Sequence, residues 1–223
     1  MTEVFVPAPA PSYRLAPSRF PPIGLFDTVA TAADLPLVME LVGWTNDRMV
    51  EHRLRRLPQS EWVFGRPNSS VVMAAFLHVA PGGLRFNGED LGAWYAATAL
   101  QTAAAEVAHH LRREALARGK PGASRTYRAY TATLLGSYLD IRGLQAARAA
   151  AYDALDYSAA QAFGESIRAG GGDGLMFDSL RHAGGTNVVA YRPPNVTNVT
   201  QGDHLEIAVT VASPAISVTR LAA

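Results

Sequence analysis

Helix-forming and strand-forming segments follow one another along this 223-residue chain without a regular alternation, and that irregular order excludes more folds than any single motif does. Thr98 opens an alanine-rich run to Arg118 with high helix propensity. Thr98 and Gln101 stand at capping-box spacing, and Gly119-Lys120-Pro121-Gly122 stops the run. Residues 125–135 then alternate through Tyr127, Ala129, Thr131 and Thr133, as a strand does. Tyr157 to Ala169 reads as another helix, closed by Gly170-Gly171-Gly172. Gly174–Ser179 and Asn187–Arg192 read as strands joined by the loop Leu180–Thr186, and 204–212 with 215–221 as a terminal hairpin around Ser213-Pro214. A doubly wound parallel sheet needs strands and helices in strict alternation, so this order predicts a single mixed α and β domain.

The first third of the chain is less regular. Residues 1–12 are rich in Pro and Ala and are expected to form a flexible, extended N-terminus, with one domain over 13–223. Tyr13 to Gly24 carries Pro17, Pro21 and Pro22, which predicts a strand or loop laid on the surface. Between Thr31 and about Leu54, Leu35, Val38, Met39, Val42 and Met49 fall near helical spacing, giving one or two helices with a break at Gly43. The run 71–79 fits a buried strand or a short buried helix equally well. Pro81-Gly82-Gly83 is a turn, and Leu84–Asn87 and Ala93–Ala96 read as short strands.

Composition narrows the function. Lys and Arg number 20 against 19 Asp and Glu, a balance with no electrostatic footprint for nucleic acid or an anionic membrane. Cysteine is absent, which excludes disulfides, thiol nucleophiles, iron–sulfur clusters and cysteine zinc sites. No secretory signal and no membrane-length apolar run is present, so a cytoplasmic protein is expected. P-loop, dinucleotide-fold glycine, nucleophile-elbow and HExxH motifs are all missing. The adjacent His109 and His110 point about 100° apart on a helix and cannot share a metal. Chemistry therefore falls to Arg, Glu, Tyr and Ser.

Three places carry such residues in unusual settings. Arg85 stands between apolar neighbours in Gly83-Leu84-Arg85-Phe86-Asn87-Gly88, where a permanently charged planar fork suits a diphosphate. Taken alone, it also describes an edge arginine facing solvent. Glu106 lies within an Ala- and Val-rich helical run whose small neighbours allow close packing, or it is an exposed helix glutamate paired with His110 or Arg113. Ser179 ends a strand ahead of Ala183-Gly184-Gly185-Thr186-Asn187, a loop able to cradle phosphate and equally an ordinary turn.

Together these segments resemble the RES-domain family, in its longer form. The likeness is carried by 85–97 (RFNGEDLGAWYAA), 101–106 (QTAAAE) and 174–193 (GLMFDSLRHAGGTNVVAYRP), with 18–27, 45–48 and 73–79 upstream. Arg85, Tyr95 and Glu106 keep separations of 10 and then 11 residues. Leu84 and Gln101 depart from the serine and acidic residue common in the family, and no named functional residue is lost.

The resemblance implies a fold related to the ADP-ribosyltransferases, an α+β domain with a split, mostly antiparallel sheet core and helices around it, the motif core spanning 83–193. It also implies a toxin that destroys NAD, by hydrolysis or phosphorolysis of the nicotinamide–ribose bond. Transfer of ADP-ribose to a protein target is the alternative, and a non-catalytic NAD-binding module is the second. Arg85, Glu106 and Ser179 map onto the family's catalytic arginine, glutamate and serine, and Tyr95 onto its active-site tyrosine. In that scheme Arg85 holds the diphosphate, Tyr95 packs on nicotinamide, and Ser179 and Asn187 line the pocket. Arg48 is a second candidate for phosphate contact, or a helix-surface arginine. NAD is the substrate, with no cofactor and no metal. The implied partner is a cognate helix-turn-helix antitoxin that blocks the pocket and makes any DNA contact; the family often forms toxin homodimers inside larger complexes, and the oligomeric state of this chain is not readable from its sequence.

Overall fold

The computed structural model describes residues 3–8, 10–18, 26–27 and 52–222. Of the stretch read as helical between Thr31 and about Leu54 only 52–54 is described, and it is helical; the break at Gly43, segment 45–48 with Arg48, and residues 19–25 lie outside the described residues. Among the described residues nine strands form one sheet: β1 Phe5–Pro7, β2 Ser12–Pro17, β3 Trp94–Ala97, β4 Gly122–Leu134, β5 Ser137–Asp140, β6 Gly174–Asp178, β7 Thr186–Ala190, β8 Val196–Thr210 and β9 Ile216–Arg220. Their spatial order is β1-β5-β6-β7-β3-β2-β4-β8-β9. Among these strands only β5 and β6 run parallel. The fold is α+β, as the irregular order of elements predicts.

The sheet consists of two well-paired halves with a weak seam. β2 matches β4 over six positions, from Ser12↔Ala132 to Pro17↔Tyr127. β3 matches β7 over four. Between β2 and β3 the register holds only at Tyr13↔Ala97. Arg14 partly compensates: its Nη1 donates to the Tyr95 carbonyl at 2.9 Å and its guanidinium lies 4.9 Å from the Trp94 ring centre. Burial lowers the Arg14 pKa to about 10, which still leaves it charged at neutral pH.

Strand alternation divides the core. On one face Trp94, Ala96, Met176, Val188 and Ala190 pack with helix α1, Ser69–Leu77. This helix is the apolar run that fitted two elements; it is buried along nearly its whole length, so no polar face marks its period. On the other face, α2 (Leu100–Ala117) covers Leu15, Tyr127, Leu205 and Ile207, while α3 (Ser158–Ala169) covers Leu175, Phe177 and Val189. Ala103, Ala104 and Ala108 let α2 lie close to the strands.

Several local expectations change. Phe5–Pro7, within the segment expected to be flexible, pairs with β5 as an edge strand, and β2 begins at Ser12, one residue before the expected domain boundary. β2 is central, not a surface strand, because Ser12 and Leu15 are buried between neighbours on both sides. The expected strand Leu84–Asn87 is a tight turn closed by Leu84 N–H on the Asn87 carbonyl at 2.9 Å. Gly83, with φ 72°, permits it. The capping box is not formed: Thr98 N–H donates to the Thr186 carbonyl instead, and Ala99 caps α2 without a side-chain bond. Strand β5 had no clear period in so short a stretch.

Gly92 fastens the chain ahead of β3 to α1. Its N–H donates to the Phe76 carbonyl at 2.7 Å, and a Cβ there would sit 2.2 Å from the Ala75 carbonyl oxygen. Gly92→Ala is expected to lower unfolding free energy by about 2–3 kcal/mol in urea titration; an unchanged midpoint would show that the backbone relaxes freely.

Candidate active site

On the face shared by α2 and α3, a cavity of about 210 Å³ opens between the helices, over the seam of the sheet. Arg85, Tyr95, Glu106 and Asn187 all line it. They come from a turn, a strand, a helix and a strand respectively, so only the fold assembles them.

Glu106 projects from the middle of α2. Its Oε1 accepts from Asn187 Nδ2 at 2.6 Å and from Ser179 Oγ at 2.7 Å. Asn187 lies on β7 and Ser179 just past β6; both donors are buried, at 4% and 7% exposure, while the carboxylate they hold is half-buried at the cavity. The Ser179 hydroxyl is committed further. It accepts N–H groups from Arg181 at 3.1 Å and His182 at 3.0 Å, and Ser179 itself is not among the cavity-lining residues. Ser179 therefore acts on the cavity through the orientation of Glu106.

The glycine loop after Ser179 is folded upon itself rather than open. Ser179 N–H donates to the Gly185 carbonyl and Gly185 N–H to the His182 carbonyl, at 2.8 and 2.9 Å. A Cβ at Gly185 would lie 2.8 Å from Thr102 Oγ1, which itself bonds His182 Nδ1 at 2.8 Å. The N–H groups of Ser179 and Gly185 are thus used in shaping the loop against α2.

Arg85 extends from its turn toward the segment before α3. Nη1 donates to the Asp153 carbonyl at 2.6 Å and the Ala151 carbonyl at 3.3 Å, and the guanidinium lies 4.5 Å from the Tyr157 ring centre. Carbonyl oxygens and an aromatic face fix the cation without neutralising it. Tyr95 has two roles in one side chain. It lines the cavity, while its hydroxyl accepts from Phe86 N–H and donates to Asn87 Oδ1, both at 2.9 Å, and so ties β3 to the Arg85 turn. Burial raises its pKa well above the ordinary value, so the phenol stays protonated.

Sequence reasoning missed other lining residues. Arg14 and Tyr13 reach the cavity from β2, Tyr157 from the start of α3, and Arg181 from the loop. His109 and His110, read as surface or hydrogen-bonded histidines, also line it, with ring centres 5.6 Å apart. Their places three and four residues after Glu106 were the available signal, since such residues share a helix face. Burial, with Arg181 and His110 adding to it, lowers the His109 pKa to about 4; burial also lowers that of His110, with Glu106 opposing. At neutral pH both imidazoles are thus neutral, and the arginines lining the cavity are Arg14, Arg85 and Arg181. Among the described residues no cluster of His, Asp and Glu could hold a metal, and no helix is long and apolar enough to cross a membrane.

No curated protein matches the chain. Among solved structures, the Mycobacterium tuberculosis MbcT–MbcA toxin–antitoxin complex is similar, with 15% identity, a TM-score of 0.48, and coverage of 93% of this chain and 88% of that one. The RES-domain model matches residues 53–210, which leaves β1 and β2, with Tyr13 and Arg14, ahead of the matched segment. With well over half its length inside that match, the chain belongs to the RES-domain family.

Proposed function

We propose that this protein cleaves the bond between nicotinamide and ribose in NAD, and that it acts as a toxin held in check by a cognate antitoxin. The observation that carries the reading is the shared cavity of Arg85 and Glu106, with the carboxylate steadied by Asn187 and Ser179. Family membership supports it, since the resemblance of these residues to the RES pattern implies that chemistry.

The reaction asks little of the protein in acid–base terms. The glycosidic nitrogen of NAD is cationic, so when the C1″–N bond breaks its electron pair returns to the ring and nicotinamide leaves neutral. Glycosidases, by contrast, use a second carboxyl group to protonate an oxygen leaving group. One carboxylate suffices here. Glu106 stabilises the positive charge that develops on the ribose, and its fixed orientation spares reorganisation during the step. Arg85 and Arg14 hold the diphosphate and place the ribose at Glu106. Tyr157 and Tyr95 supply aromatic surface for the rings. The acceptor then bonds C1″: water loses a proton to solvent as it does so, whereas an ionised oxygen of inorganic phosphate has none to lose.

Glu106→Gln removes the charge and keeps the shape. Nicotinamide release is expected to fall at least about a hundredfold, a loss of ~3 kcal/mol in transition-state stabilisation, with an unchanged thermal midpoint. Full activity in that variant overturns the assignment. Chromatography of the products with and without phosphate separates ADP-ribose from ADP-ribose 1″-phosphate, and labelled NAD in lysate reports transfer to protein. Expression without the antitoxin is expected to arrest growth, and the Glu106→Gln chain to be tolerated.

The neutral state of His109 gives a separate prediction. Its folded pKa is about 4 against an ordinary 6.5, so between these values the unfolded chain binds the extra proton. Stability is therefore lost as pH falls from 6.5 toward 4. His109→Gln is expected to flatten this part of the curve of thermal midpoint against pH; identical slopes in both proteins would exclude His109 as its source.

A further inference from the structure

The segment that presents Arg85 belongs to no strand of the sheet, yet it is held at many points. Most of those points lie on one face of α3. Gln161 Nε2 donates to the Gly82 carbonyl at 2.7 Å and the Leu84 carbonyl at 2.9 Å. Glu165 Oε1 accepts from Gly88 N–H at 3.0 Å. Arg168 donates to the Leu91 carbonyl at 3.1 Å and the Gly92 carbonyl at 2.8 Å. Between them, Gly164 lets the turn touch the helix: a Cβ there would lie 2.1 Å from the Phe86 carbonyl oxygen. Gln161, Gly164, Glu165 and Arg168 stand at i, i+3, i+4 and i+7, which is one helical stripe.

We infer that this stripe is a positioning device for Arg85, with Gln161 and Glu165 as positioning residues for the diphosphate of the substrate. The inference rests on the NAD reading above. The stripe differs from ordinary packing in what it contacts. The apolar side of α3, with Ala160, Phe163 and Ile167, joins the core under β6 and β7. The polar side instead bonds main-chain groups on both sides of Arg85. Gln161 is the sharpest case, because its amide nitrogen bridges the carbonyl just before Arg85 and the one two residues earlier. A four-residue turn has little slack, so a shift at Leu84 passes directly to the guanidinium. A displacement of about 1 Å at a group that orients substrate is enough for a large loss of rate or affinity.

The test uses Gln161→Glu in the full chain. The variant has the same shape but turns an oxygen, not an N–H, toward two carbonyls. We expect KM for NAD to rise about tenfold with kcat within about twofold and little change in thermal midpoint. In a Glu106→Gln background, which binds NAD without consuming it, calorimetry should show Kd weakened by the same factor. With Arg85→Ala also present, Gln161→Glu should add nothing, because its effect runs through Arg85. If Gln161→Glu does not fold, Glu165 provides the same test: Glu165→Gln keeps an acceptor for Gly88 N–H and keeps KM, whereas Glu165→Leu raises it. Equal Kd with and without Gln161→Glu, or a full effect that persists beside Arg85→Ala, overturns the inference and leaves the NAD reading standing. Failure of the Glu106→Gln chain to bind NAD at all overturns both.

Discussion

β2 and β3 share one paired position, Tyr13 with Ala97, and the sheet opens where their pairing lapses. A continuous ladder here would bring the two halves of the sheet, and the helices above them, closer together. The seam instead leaves the Tyr95 carbonyl to be satisfied by a side chain, and Arg14 does so. Unpaired backbone at the middle of a sheet is costly without such a donor. The arrangement stabilises the gap and places a buried cation at the floor of the cavity that α2 and α3 flank.

Glu106 is the second element of the arrangement. A carboxylate on a helix that lies against a sheet meets a partly dry environment, and partners must replace the water it loses. Asn187 on β7 and Ser179 just past β6 supply two donors to one oxygen. The proposed chemistry benefits from the same feature, because a fixed anion need not reorganise when positive charge appears beside it. The imidazoles of His109 and His110 add polarity without charge, since burial and nearby arginines keep them unprotonated.

Arg85 is positioned by a different kind of structure. Its turn is braced by Tyr95 from β3 and by the polar stripe of α3, and its guanidinium rests on Tyr157 and two carbonyls. Residues from β3, from α3 and from the segment leading into α3 thus converge on a segment with no regular structure of its own. Such bracing is what allows a loop to present a charged group reproducibly while the scaffold beneath it stays rigid.

Much of this was legible in the chain. The alanine-rich run gave away α2 because propensity and stop signal agree over 18 residues, and the long alternation of β4 did the same for a strand. The separations among Arg85, Tyr95 and Glu106 marked the family, because spacing along a chain survives in sequence. Their convergence did not, and neither did Ser179's place behind Glu106, the closed glycine loop, or the bond that draws Thr98 from its capping box to Thr186. The apolar run of α1 was ambiguous since burial on all sides erases period, and Arg14 looked like a surface residue since nothing local says that β2 becomes central. Sequence determined α2, α3, β4 and β6 to β9 as helix or strand, as those depend on neighbours a few residues away. Tertiary structure alone decided which groups face one cavity, because that depends on pairings between positions as distant as Tyr13 and Ala97, or Glu106 and Asn187, for which the chain carries no local signal.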